Sequence, residues 1–149
     1  MKNVFLAGLL AVSSLASAQV TPIKPNSPEW KETFDPPFTT PTDLPRTALR
    51  TQLFDLLRPS IERETPTRPI QFQGELKAFK NWAFFNGSAQ DKSGKQITFE
   101  PSGNSDMAAL WLRTREGWKL VDYAVGFGDP FYWVWAERYG APRQLLGTP

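Results

Sequence analysis

The run MAALWLRTREGWKLVDYAVGF, residues 107–127, constrains the fold more than any other stretch of the chain. Two apolar segments flank a turn at Glu116-Gly117, and Gly117 supplies the positive φ that such a turn often needs. The sequence predicts a strong antiparallel hairpin here, with Val121, Tyr123, Val125 and Phe127 on one face.

The residues before it extend the same sheet. Ile70, Phe72, Gly74, Leu76 and Ala78 alternate with Gln71, Gln73, Glu75 and Lys77, the period of a half-buried strand. Lys80-Asn81 makes a tight turn, and WAFFNGSAQ (82–90) returns as the next strand. DKSGK is a loop, QITFE (96–100) a short third strand, and PSGNSD another loop. Trp82, Trp111 and Trp118 fall on these hairpins, where cross-strand packing accounts for them without a ligand.

A helix precedes the sheet. Leu49, Leu53, Leu56 and Leu57 recur at helical spacing, with Arg46, Arg50, Gln52 and Asp55 off the stripe. Thr42 or Asp43 can cap it and Pro45 suits its first turn. Pro59 should stop or kink it, with an extension carrying Ile61 to about Glu64.

A second helix closes the chain. Asp129 is read as its N-cap, Pro130 as its first residue and Gly140 as its C-terminal stop, with Pro142 blocking continuation. At 100° per residue, Phe131, Tyr132, Val134, Trp135, Ala136 and Tyr139 share one broad arc. Trp133 and Glu137 fall on the other side, so Trp133 is exposed or covered by the proline-rich leader. Arg138 edges the arc, placed to stack on a neighbouring ring. The order predicts an α+β domain over residues 45–149: an N-terminal helix, a curved antiparallel sheet of about five strands and a short C-terminal helix, the helices covering one sheet face.

The segments LLRP (56–59), NWAFF (81–85), GWKLVDYAVGFGDPFYWVW (117–135) and YGAP (139–142) resemble a family of small exported bacterial proteins of unassigned function. The resemblance covers about residues 45–146. It implies a layout similar to cystatin-like or NTF2-like folds, a helix wrapped by a curved sheet, and it implies architecture only.

Residues 1–18 read as a secretory signal: Lys2, an apolar run over residues 4–12, and Ala16-Ser17-Ala18 for cleavage before Gln19. The expected destination is the periplasm or the medium, with no stable membrane anchor after cleavage. Pro22, Pro25, Pro28, Pro36, Pro37 and Pro41 then make residues 19–44 an extended leader or linker. Trp30, Phe34 and Phe38 within it have the bulk to pin it to the domain surface.

The missing residue types narrow the chemistry. The chain has no His and no Cys. Ser-His-Asp catalysis, His-based metal sites, thiol nucleophiles and iron–sulfur clusters are excluded on that ground. No G-x-S-x-G, S-x-x-K or P-loop occurs. The 17 Lys and Arg are scattered among 15 Asp and Glu, unlike the clustered cations of a nucleic-acid surface. Asp122 and Asp129 are left as candidates for two-carboxylate hydrolysis, against the simpler reading of a solvated strand residue and a helix cap. Glu100, Asn104 and Asp106 carry calcium-type oxygens but not the EF-hand spacing. No cofactor, metal or catalytic residue is expected.

The expectation is a non-enzymatic domain that binds a protein or a small ligand in the cell envelope. Its candidate residues are Trp133, Arg138, Tyr123, Phe127 and Phe72. A ligand would occupy a pocket lined by Phe72, Leu76, Tyr123 and Phe127. A protein partner would use an open sheet edge or Trp133. The alternatives are a small carboxylate-dependent hydrolase and a purely structural envelope protein.

Overall fold

A computed structural model describes residues 35–147. The proposed signal and most of the leader, with Trp30 and Phe34, lie outside the described residues. Five antiparallel strands form one curved sheet in the order β1-β2-β3-β4-β5. They are β1 (Phe38–Asp43), β2 (Gln71–Lys80), β3 (Trp82–Gln90), β4 (Met107–Thr114) and β5 (Gly117–Val125). Three helices accompany them, α1 (Ala48–Glu62), α2 (Val134–Tyr139) and α3 (Arg143–Leu146).

The sheet has five strands, but not the five read from the sequence. The end of the leader is β1, which pairs with β2 through Thr42↔Ala78 and Asp43↔Lys77. Its register slips between Phe38 and Thr42, around Pro41. Among the described residues β1 is an edge strand, where a proline's missing N–H need not cost a ladder bond. QITFE is not a strand of the sheet. The Asp91 carboxylate accepts from Ser93 N (2.8 Å), Ser93 Oγ (2.6 Å) and Lys95 N (3.0 Å), which curls residues 91–95. The Ser93 hydroxyl, chiefly, and these backbone N–H groups hold the Asp91 carboxyl below its usual range. Beyond the curl only isolated bridges form, Gln90↔Gln96 and Phe99↔Asn104, and Ile97 and Phe99 plug the core.

β1 also moves the start of α1. Thr42 and Asp43 are occupied as strand residues, so the cap passes to Thr47, whose hydroxyl accepts from Arg50 N at 3.4 Å. The helix then runs through Pro59 to Glu62. Leu53, Phe54, Leu57 and Ile61 are buried, whereas Leu49 and Leu56 of the expected stripe are only partly buried against the same core. Phe54 stacks on Phe72 at 4.8 Å and meets Phe85 edge-on at 5.1 Å, at the centre of this core. Arg58 donates to the Ile70 carbonyl and lies over the Phe72 ring, tying α1 to the start of β2.

The helices do not share one face of the sheet, as the sequence suggested. α1 covers a core containing Phe72, Leu76, Ala83, Phe85, Met107, Ala109, Trp111 and Leu120. The opposite face carries a second core of Trp82, Phe84, Ala108, Leu110, Leu112 and Val121, roofed by Trp135, Tyr139, Leu145 and Leu146 of α2 and α3. β4 lies between them, and Met107–Leu112 are all buried. That explains why MAALWL is continuously apolar: a strand covered on both sides loses its polar face.

Two local devices shape the sheet. Gly74 faces Gly87 across β2–β3. A Cβ on Gly87 would lie 2.0 Å from the Gln73 carbonyl oxygen and 2.8 Å from Phe85 Cζ, so the close approach needs glycine. In β5, Leu110 faces Asp122 while Trp111 faces Leu120, which leaves Val121 as the extra residue of a bulge. The bulge reverses the alternation. Val121 enters the second core, whereas Tyr123 and Val125 pack on the first. The single face expected for Val121, Tyr123, Val125 and Phe127 is therefore split.

Candidate functional site

The chain leaves β5 at Gly126, whose φ of 69° lies in the left-handed region. Its N–H donates to the Asp106 carbonyl at 2.8 Å, and a Cβ there would lie 2.8 Å from Ser102 Oγ. Glycine lets the segment 126–133 run beside the loop 99–106.

Helix α2 begins at Val134, later than Asp129 and Pro130 predict. Its opening bonds are tight: Val134 N to Phe131 O, Trp135 N to Tyr132 O and Ala136 N to Trp133 O. The first accepting carbonyl is that of Phe131, so Asp129 stands too early to cap, and the helix has no side-chain cap. Gly140 ends it with φ 75°, the left-handed conformation its sequence position implies.

The late start alters what the aromatic residues do. Trp135 and Tyr139 are buried, and Tyr132, Val134 and Ala136 pack against the second core. Phe131 is not on the packing arc; it is 36 % exposed, and Trp133 is 51 % exposed. They are the exposed large hydrophobic residues among the described ones. Phe131 is fixed in place. Its ring meets Phe127 edge-on at 5.3 Å and Trp135 at 6.2 Å. Phe84 and Tyr132, at 4.9 Å, continue the ring network inward, and Tyr132 OH accepts from Asn86 Nδ2 at 3.2 Å.

Asp122 does not face solvent alone. The bulge turns it towards α2, where Oδ2 accepts from Tyr139 OH at 2.6 Å and Oδ1 accepts from Tyr123 N at 2.8 Å. Tyr123 OH reaches the other way, to Glu64 Oε1 at 2.8 Å. Burial, and then the carboxylate beside each phenol, raises both tyrosine pKa values. These pairs fasten β5 to α2 on one face and to the turn just after α1 on the other.

The candidate residues separate accordingly. Phe72 and Leu76 are buried under α1, and Tyr123 packs on that same core. Phe127 packs on the second core, across the sheet. The pocket expected between these four residues is not formed, because the bulge and the turn at Gly126 carry Phe127 to the other side. Arg138 lies over the Tyr139 ring, 5.9 Å from its centroid. Only Phe127 and Trp133 share the segment leading into α2, and Phe131 joins them. Its exposure was hidden by the Asp-Pro pair, which imitates a helix start. A cleft of about 140 Å³ lies nearby between β2–β3 and α3, lined by Glu75, Lys77, Phe84, Asn86, Tyr132 and Gln144. Lys77 Nζ and Glu75 Oε1 are paired there at 2.7 Å, and this bond raises the lysine pKa.

The fold and surface define an α+β domain with a two-sided core and an exposed aromatic ledge at the entry to its C-terminal helices. Comparison with protein-family models, with curated proteins and with solved structures finds no match.

Proposed function

We propose that this protein is an exported, non-enzymatic interaction module that holds a protein partner on the ledge of Phe127, Phe131 and Trp133. The observation that carries the reading is the neighbouring exposure of Phe131 and Trp133 on a segment whose inner rings are locked into the core. Binding surfaces draw most of their energy from a few aromatic anchors, and an anchor already ordered loses little entropy on binding. The protein-partner form is favoured over the small-ligand form. The cleft beside Tyr132 is about 140 Å³ and a more open one beside Arg50 and Leu76 about 280 Å³, against the roughly 300–1,000 Å³ of ordinary ligand pockets, and neither is lined by Phe131 or Trp133. The hydrolase alternative is weaker, because both oxygens of Asp122 are engaged in holding Tyr139 and the Tyr123 N–H.

The layout belongs with cystatin-like folds rather than NTF2-like ones in this reading. The strand before α1 pairs with the strand after it, and the remaining strands follow as a meander. Export rests on residues 1–18, and membership of the exported bacterial family rests on the quoted segments; among the described residues no helix is long and apolar enough to cross a membrane.

Affinity capture from the cell envelope, with wild type and Trp133→Ala in parallel, tests the reading. A partner retained by the wild type and lost by the variant is the expected result. Equal recovery of every bound protein by the two would remove Trp133 from the function, and the absence of any saturable binding would favour a structural envelope protein.

A further inference from the structure

The segment that carries the ledge, and the loop it runs beside, hold charge of one sign. Asp129 stands within the segment itself. The abutting loop carries Glu100 and Asp106, and all three carboxylates are exposed. The contact between the two loops is direct: Gly126 N bonds Asp106 O, and a Cβ on Gly128 would lie 3.5 Å from Asn104 Nδ2. Neither residues 99–106 nor residues 126–133 contain a Lys or Arg, although the whole chain has a cationic surplus of 2. Among the described residues, none of the three carboxylates belongs to an ion pair. Among the described residues no three such groups converge closely enough to hold a metal ion.

The ring faces tell the same story. Four rings elsewhere carry one of the chain's own cations on a face. Arg50 lies over Phe54, Arg58 over Phe72, Lys80 over Phe79 and Arg138 over Tyr139. Among the described residues no cation lies over Phe131 or Trp133. Tryptophan is the strongest ring for a cation.

We infer that the ledge receives an extended, arginine- or lysine-bearing peptide segment of a protein partner, whose cations stack on Trp133 and Phe131 while others face Glu100, Asp106 and Asp129. This rests on the reading of the ledge as a binding surface. The carboxylates would guide encounter and set selectivity, and the rings would hold the complex, the usual division between rim charges and central anchors.

The test is a titration of isotope-labelled protein with three peptides of equal length: alternating Arg-Gly, Glu-Gly and Ser-Gly. The readout is the indole N–H resonance of Trp133, assigned with Trp133→Phe. Saturable movement of that resonance with Arg-Gly alone, weakening as salt is added, is the expected result. The triple variant Glu100→Gln, Asp106→Asn, Asp129→Asn should bind Arg-Gly roughly tenfold more weakly with its fold intact, since each exposed charge pair is worth a fraction of a kcal/mol. Equal responses to Arg-Gly and Glu-Gly, or an unaffected triple variant, would overturn the cationic partner and leave the ledge as a binding surface. If Arg-Gly binds while Trp133 does not respond, the ledge reading itself fails. If no peptide moves Trp133 but deleting residues 19–34 does, the ledge is occupied by the chain's own leader and the inference is wrong.

Discussion

Asp122 and Tyr139 show how one residue can be misread when its neighbour is not local in sequence. On an ideal strand Asp122 would point away from Val121 and meet solvent. The bulge sets both on the side of α2, where the carboxylate takes a 2.6 Å bond from Tyr139 OH. Tyr139→Phe would leave that half-buried carboxylate short of a donor. It should lower stability by about 1–2 kcal/mol in urea unfolding at neutral pH. The pH dependence has a definite sign. A raised phenol pKa means that folding favours the protonated form, so the contribution is complete below the ordinary value of 10.0 and is lost as pH rises through the folded value. Tyr123 acts in the same direction. Wild type should therefore lose stability in alkali, and Tyr139→Phe should lose less over the same range. Parallel unfolding curves at neutral pH and above pH 10 check this. An unchanged alkaline slope in the variant would show that the Tyr139 phenol is not the group responsible.

Among the elements, those with a strong local period were legible and those fixed by distant contacts were not. The stripe of Leu49, Leu53, Leu56 and Leu57 announces α1, and the two-residue turn at Lys80-Asn81 is found where the alternation breaks, with Phe79 facing Trp82. β1 was hidden by Pro36, Pro37 and Pro41, which argue against a central strand but not against an edge. QITFE alternates like a strand because Ile97 and Phe99 face a core, yet the Asp91 curl and the turn after Phe99 keep it off the sheet. The bulge at Val121 has no residue signature at all. The Gly74–Gly87 pair was visible only as two glycines in strand-like runs; its role appears when the register sets them opposite each other. Gly87→Ala should consequently be far more damaging than a typical alanine substitution. The added methyl would meet the Gln73 carbonyl oxygen at 2.0 Å, and a loss of about 3 kcal/mol or more is expected in denaturant unfolding. A change below about 0.5 kcal/mol, the range of ordinary surface substitutions, would mean the two backbones do not approach so closely in solution.

At the scale of the molecule, the sheet is a partition with a core on each side. The unbroken apolar run of Met107–Leu112 is the trace of this in the sequence, and the alternation in β2 points to one face only. The second core gives α2 a fixed seat despite its 6 residues, and that seat orients the aromatic ledge. The two parts of the last segment should thus behave differently. Trp135, 1 % exposed, is structural, and its truncation to alanine should cost about 3–5 kcal/mol. Trp133, 51 % exposed, should be replaceable by alanine with a change within about 0.5 kcal/mol. Thermal unfolding of the two variants separates the roles.

With the fold of Trp133→Ala verified in this way, its capture of envelope proteins, measured beside wild type across a range of extract concentrations, becomes decisive. A partner that saturates the wild type and is lost from an equally stable Trp133→Ala is the predicted result. The same partners bound by both proteins with the same saturation curves would contradict the assignment of the Phe127–Phe131–Trp133 ledge as the binding surface.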